Sequence, residues 1–131
     1  MLSDNKDYVK IIANKAMCKS CNDVVISRYR HHCVPCSCGK LSVDGGLDYC
    51  KRMGDPDDYE DLSVFSDAPF EVVRLHLARG SFGKKGTEPL HWVSLRDMSN
   101  DHLISVIEYC EVNQTLNHYE FYLKEKEYRG L

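Results

Sequence analysis

Cys18-Lys19-Ser20-Cys21 and, after eleven intervening residues, Cys33-Val34-Pro35-Cys36-Ser37-Cys38-Gly39 decide how the chain folds. Zinc takes four ligands on a tetrahedron, most often from two short-spaced pairs on facing turns. Cys18 and Cys21 make the first pair. Cys33 with Cys36, or Cys36 with Cys38, makes the second. Cys36 and Cys38 are preferred, because Gly39 follows directly and frees the backbone to turn its amides toward sulfur. Pro35 stiffens the entry to that turn. Cys33 is then expected as a spare buried thiol at the end of a strand-like segment. The expected ligands are Cys18, Cys21, Cys36 and Cys38.

The seven cysteines stand at 18, 21, 33, 36, 38, 50 and 110. A disulfide framework calls for an even number and an oxidising compartment. The first residues, Met1 to Lys15, show no apolar h-region and no small-residue cleavage site, so no export signal is expected. Thiolate-bound metal in a reducing cytosol explains the cluster better. Four thiolates close the coordination sphere, which marks a structural rather than a catalytic zinc. His31 and His32 are alternative ligands nearby, read here as surface residues. Pro35-Cys36-Ser37-Cys38 lacks the His-x-Glu that a zinc deaminase requires.

Around the cysteines the chain reads as short strands and turns from Lys15 to Phe65. Val24-Val25-Ile26 is β-branched. Leu41-Ser42-Val43 runs into the turn Asp44-Gly45-Gly46, and Leu47-Asp48-Tyr49-Cys50 is expected to return as the next strand. Leu62 to Phe65 is a further strand. Asp67-Ala68-Pro69 then opens a helix that Gly80 should end. Leu90 to Leu95 reads as a strand. Ser99 caps a helix over 100–111 with Leu103, Ile107 and Cys110 on one face. A last helix is expected over 116–128, with Leu116, Tyr119 and Leu123 inward. Cys50, Cys110 and Trp92 are assigned to the core. The expectation is an α+β fold: an N-terminal zinc ribbon with a short antiparallel sheet, and C-terminal helices packed on it. At 131 residues it should be one domain, 1–131, with a ribbon part at 15–66 and a helical and β part at 67–131.

Composition excludes more than it assigns. No apolar run reaches the ~18 residues of a membrane span, so no membrane partner is expected. The net charge of −3 argues against a surface that grips phosphate throughout. The charge is segregated: residues 1–40 carry +4, 41–70 carry −6, 71–96 carry +3 and 97–131 carry −4. The acidic run Asp55 to Asp61 reads as a solvated loop or a face for a basic partner. Arg79-Gly80-Ser81-Phe82-Gly83-Lys84-Lys85-Gly86 is a glycine-rich basic loop without P-loop spacing. With Arg74 and His76 upstream, Arg79, Lys84 and Lys85 form the candidate contact for an anion, a nucleic acid or a partner. Asp101, His102, Asn113 and His118 are the residue types of an HNH nuclease, but an apolar helix is the better reading of that segment. No catalytic set converges.

The Cys-x2-Cys and Cys-Ser-Cys-Gly motifs, with Ser42-Val43-Asp44-Gly45-Gly46-Leu47-Asp48-Tyr49 and Arg52, resemble a family of small zinc-ribbon proteins of tailed bacteriophages. Val73 to Lys84, Pro89-Leu90, Met98-Ser99 and Glu127-Tyr128-Arg129 extend the resemblance over residues 15–130. A hydrophobic residue is usual where Cys33 stands, which supports Cys33 as a non-ligand. The resemblance implies an accessory protein, of host-takeover or anti-defence type, acting in the cytoplasm of an infected bacterium. It supplies no catalytic residues. A bacterial host protein is the expected partner. Nucleic acid and a small nucleotide-type anion are the alternatives.

Overall fold

The computed structural model describes residues 9–115 and 117–131. Helices and antiparallel sheets combine in an α+β fold. The chain divides into two compact units, one ending at Pro69 and the other running from Phe70 to Leu131.

In the first unit β1 (Ile11–Cys18) is the central strand, with β2 (Val24–Ser27) and β6 (Tyr59–Asp61) on either side. β7 (Val64–Phe65) pairs with the start of β1 beyond a bulge between Ile11 and Ala13. A second sheet has the order β3 (Val34–Pro35), β4 (Ser42–Asp44), β5 (Lys51–Met53). β1 begins four residues before the expected Lys15. Ile12, Ala13 and Asn14 are buried in succession, so the alternation that flags a strand is missing there. Ala16, Cys18, Val25, Cys36, Leu41 and Val43 form one buried cluster, with Cys21, Val34 and Tyr59 packed against it. Two of the clustered thiols are thus part of the core itself.

The hairpin after β4 differs from expectation. The return strand starts at Lys51, with Asp44 opposite Lys51 and Val43 opposite Arg52. Leu47 to Cys50 belong to the connection, and Cys50 is exposed rather than core. The cause is Asn14. Its fully buried side-chain amide donates to the carbonyls of Asp44, Gly46 and Tyr49. The chain wraps around that amide in place of a tight two-residue turn.

The second unit starts with α1 (Phe70–His76). The helix stops at His76, and Gly80 lies inside β8 (Ala78–Ser81), which pairs with β9 (His91–Ser94). Gly80 sits opposite Trp92, and a Cβ on it would meet Leu90 Cδ1 at 3.1 Å. Trp92 lies on the surface over this glycine, not in the core. α2 (Asn100–Asn113) is capped by Ser99 Oγ, which accepts from the His102 N–H, and buries Leu103, Val106, Ile107 and Cys110. α3 (Tyr119–Tyr128) buries Phe121, Tyr122 and Glu125, while Leu123 is exposed and Tyr119 half-buried. The inward face is therefore not the expected Tyr119–Leu123 stripe, and Leu116 lies outside the described residues. Among the described residues no helix is long and apolar enough to cross a membrane.

Candidate metal centre

Two turns carry the four sulfurs. The first follows β1: Cys18 ends the strand, and Asn22, at φ 63°, swings the chain back so that its N–H donates to the Cys18 carbonyl. The second follows β3, where Gly39 at φ 79° lets its N–H donate to the Cys36 carbonyl. Left-handed backbone is cheapest at glycine, which is why that residue type follows Cys38.

The Sγ atoms of Cys18, Cys21, Cys36 and Cys38 all lie within 4.8 Å of one another. Cys38 Sγ is 3.6 Å from both Cys18 Sγ and Cys36 Sγ. A tetrahedron with zinc–sulfur arms of about 2.3 Å has edges near 3.8 Å. The spacing is thus right for one metal ion. Cys33 lies outside the group, and it is exposed rather than the buried thiol expected, because it stands in the β2–β3 loop ahead of the short strand β3.

Electrostatics say the same. Burial pushes the Cys36 thiol up, but the Leu41 N–H, at 3.4 Å from its sulfur, and the neighbouring thiols bring it down to about 6. The Lys40 N–H pulls the Cys38 thiol down, yet burial and the other three sulfurs raise it to about 11. Backbone N–H groups of Asp23 and Cys38 lower Cys21. The crowded sulfurs compete for negative charge, and a divalent cation is what lets all four ionise together. Asp23 ties the two turns: its carboxylate accepts from the Ser37 N–H at 2.7 Å and from the Ser37 hydroxyl.

The basic candidates of the second unit differ in what surrounds them. Arg74 pairs through Nε and Nη2 with both oxygens of Glu125, each at 2.7 Å. Arg79 lies over the Tyr109 ring, 5.4 Å from its centroid. His76 is half-buried at the end of α1. Lys85 is exposed in the β8–β9 loop. Lys84 lines a cleft of about 680 Å³ with His91, His102, Glu88, Asp97 and Asp101. His102 is held below its ordinary value by burial, then by Arg79 and His91. Asn113 stands at the far end of α2 from Asp101 and His102, so the nuclease-like residues do not converge. Among the described residues no other group of three His, Cys, Asp or Glu side chains gathers for a metal.

Glu125 has no local sequence signal as a key residue, and Asn14 has a single weak one, a polar residue inside an apolar strand.

No curated protein and no solved structure matches the chain. Residues 10–54 match the model of a family described as a domain of unknown function, DUF7695, and this segment contains all four clustered cysteines and the Asn14-centred turn.

Proposed function

We propose that the first unit is a zinc-stabilised binding module, with the metal bracing the fold and the chain acting by engaging another macromolecule. One observation carries this: four thiols, and no histidine or carboxylate, converge within 4.8 Å. Four thiolates complete the coordination of zinc and leave no position for water or substrate. Cys18 and Cys36 are also buried members of the hydrophobic cluster, so the ion would sit where it ties β1 to the β3–β4 connection. The resemblance to tailed-phage zinc-ribbon proteins supports the finer reading. On that reading the chain is an accessory protein of host-takeover or anti-defence type. It acts in the bacterial cytoplasm by binding a host protein.

Metal analysis of the purified protein tests the centre. One zinc per chain is expected, with cobalt substitution giving the spectrum of a four-thiolate site. A metal-free protein that is fully folded, or a solvent ligand on cobalt, contradicts it. Affinity capture from bacterial lysate, with chelated protein as control, tests the partner. The same host protein must be recovered in stoichiometric amount by the metal-loaded form alone.

A further inference from the structure

Between β2 and β3 the chain reads Arg28-Tyr29-Arg30-His31-His32. Two arginines, two histidines and a tyrosine would ordinarily make a loose solvated loop. Here the loop is fixed. The Tyr29 and His32 rings stack, with centroids 4.3 Å apart and planes within 4°. His32 Nδ1 accepts from the Arg28 N–H at 3.0 Å, and the His32 carbonyl accepts from Ser27 Oγ at 2.6 Å. The Gly46 N–H donates to the same Ser27 hydroxyl at 2.9 Å. Gly46 packs so tightly that a Cβ would lie 2.2 Å from the Tyr29 carbonyl carbon. His31 is held at φ 66°, a region non-glycine residues seldom occupy. The Tyr49 hydroxyl lies 3.4 Å from His31 Nδ1, and Arg30 lies 3.9 Å from Asp48.

All this order presents polar and aromatic groups outward. Tyr29 is 53 % exposed although His32 covers one ring face, and the Arg30 side chain is 65 % exposed. Topology also separates the loop from the acidic run. β2 and β6 lie on opposite sides of β1, and the loop leaves β2 at Ser27, beside Asn14. Asp58 instead meets Lys19, just past the other end of β1. Within residues 9–54 there are eight Lys and Arg against three Asp.

We propose that this loop binds single-stranded nucleic acid, with a base stacked on Tyr29 and Arg30 on the adjoining phosphates. A cationic surface alone would suit any acidic partner. A rigidly held, half-exposed aromatic ring is what unpaired bases stack on, and bases within a duplex are already stacked on one another. The site goes beyond the metal-braced module described above, and its failure would leave the zinc centre intact.

The test is fluorescence anisotropy of the zinc-loaded full chain with labelled oligo-dT and oligo-U of about twenty nucleotides, and a duplex of that length. Binding should favour the single strands and weaken steeply between about 50 and 200 mM salt. Tyr29→Ala should weaken it roughly tenfold while Tyr29→Phe stays within about twofold, as expected when ring stacking dominates. Arg30→Glu, a surface change, gives a second reading should Tyr29→Ala lose zinc. Any of four results would overturn the proposal: no anisotropy change with either single strand, a duplex bound as tightly, polyglutamate competing as well as the oligonucleotide, or Lys84→Glu removing binding that Arg30→Glu leaves untouched.

Discussion

Arg52 donates from Nη1 to Asn14 Oδ1 across 2.7 Å, and this contact closes a buried network between β1 and the β4–β5 hairpin. The other end of the Asn14 amide donates to the Asp44, Gly46 and Tyr49 carbonyls at 3.0, 2.9 and 3.0 Å. Arg52 Nη2 reaches Ser63 Oγ at 2.7 Å and Asp61 Oδ1 at 3.0 Å. Most of the Asp-Gly-Gly-Leu-Asp-Tyr…Arg pattern is thereby explained as architecture: Asp44, Gly46 and Tyr49 feed the amide their carbonyls, Gly45 and Gly46 supply the positive-φ backbone that bends the turn, and Arg52 donates to the amide oxygen.

Asn14→Leu should therefore destabilise the first unit far more than its volume suggests. It strips three carbonyls of their donor and leaves Arg52 without its buried acceptor. Groups left unsatisfied in the interior cost roughly 1–3 kcal/mol each when water cannot reach them. A loss of about 3 kcal/mol or more in denaturant unfolding of the zinc-loaded protein is expected. A change under about 1 kcal/mol would mean that the turn stands without the network.

Gly46→Ala probes the same turn from the other side. The residue sits at φ 55°, and the added methyl would overlap the Tyr29 backbone rather than a movable side chain. The loop and the hairpin must then part, at a cost of at least about 2 kcal/mol. Tyr29 and His32 should lose their stack along with the stability, visible as altered ring resonances. Gly39→Ala is the contrast. Its φ is also positive, but nothing lies within 4 Å of the new methyl, so it should cost only about 1 kcal/mol.

Zinc stoichiometry should separate the cysteines by position. Cys38→Ser removes a member of the four-sulfur group and should lower the metal content and unfold the first unit in mild chelator. Cys33→Ser and Cys50→Ser, both exposed and outside the group, should leave one zinc per chain. Retention by Cys38→Ser with loss by Cys33→Ser would exchange the two in the ligand set. Asp23→Ala should keep the stoichiometry but speed transfer of zinc to a competing chelator by about tenfold, in line with lost outer-shell support.

What could be read in advance was what is local along the chain. The Cys-x2-Cys and Cys-x-Cys-Gly turns are set within a few residues, and so is the Ser99 cap on α2. What could not be read depends on partners far away. Asn14 meets groups 30 to 38 residues on, and Glu125 meets Arg74 from 51 residues away. On its own helix Glu125 looks like one more surface acid, whereas the outward-facing Leu123 looks like core. Trp92 looks like core too, but the glycine opposite it offers a shelf on the surface instead of a pocket. The β1 start was hidden because a central strand, covered on both sides, shows no alternation.

The Glu125 pair of ion pairs makes the second unit sensitive to acid. Burial pushes this carboxyl up, but Arg74 and Arg129, with Arg129 Nε at 2.7 Å, outweigh it and hold it below the ordinary glutamate range. A folded value below the unfolded one means that the ionised form stabilises the fold. That contribution is complete above about pH 4.5 and fades as pH falls through the lower folded value. Arg129 also donates to the Leu95 carbonyl and to Asn100, so the carboxylate organises the start of α2 as well as α3. Glu125→Gln should cost about 3 kcal/mol at neutral pH, because two guanidinium groups lose their buried counter-charge. The gap between parent and variant should narrow as the parent is taken well below pH 4. Trp92 is the single tryptophan and lies in the second unit, so its fluorescence reports from that unit. A gap that stayed constant down to pH 2 would show that the charge of Glu125 contributes nothing, and that its shape alone matters.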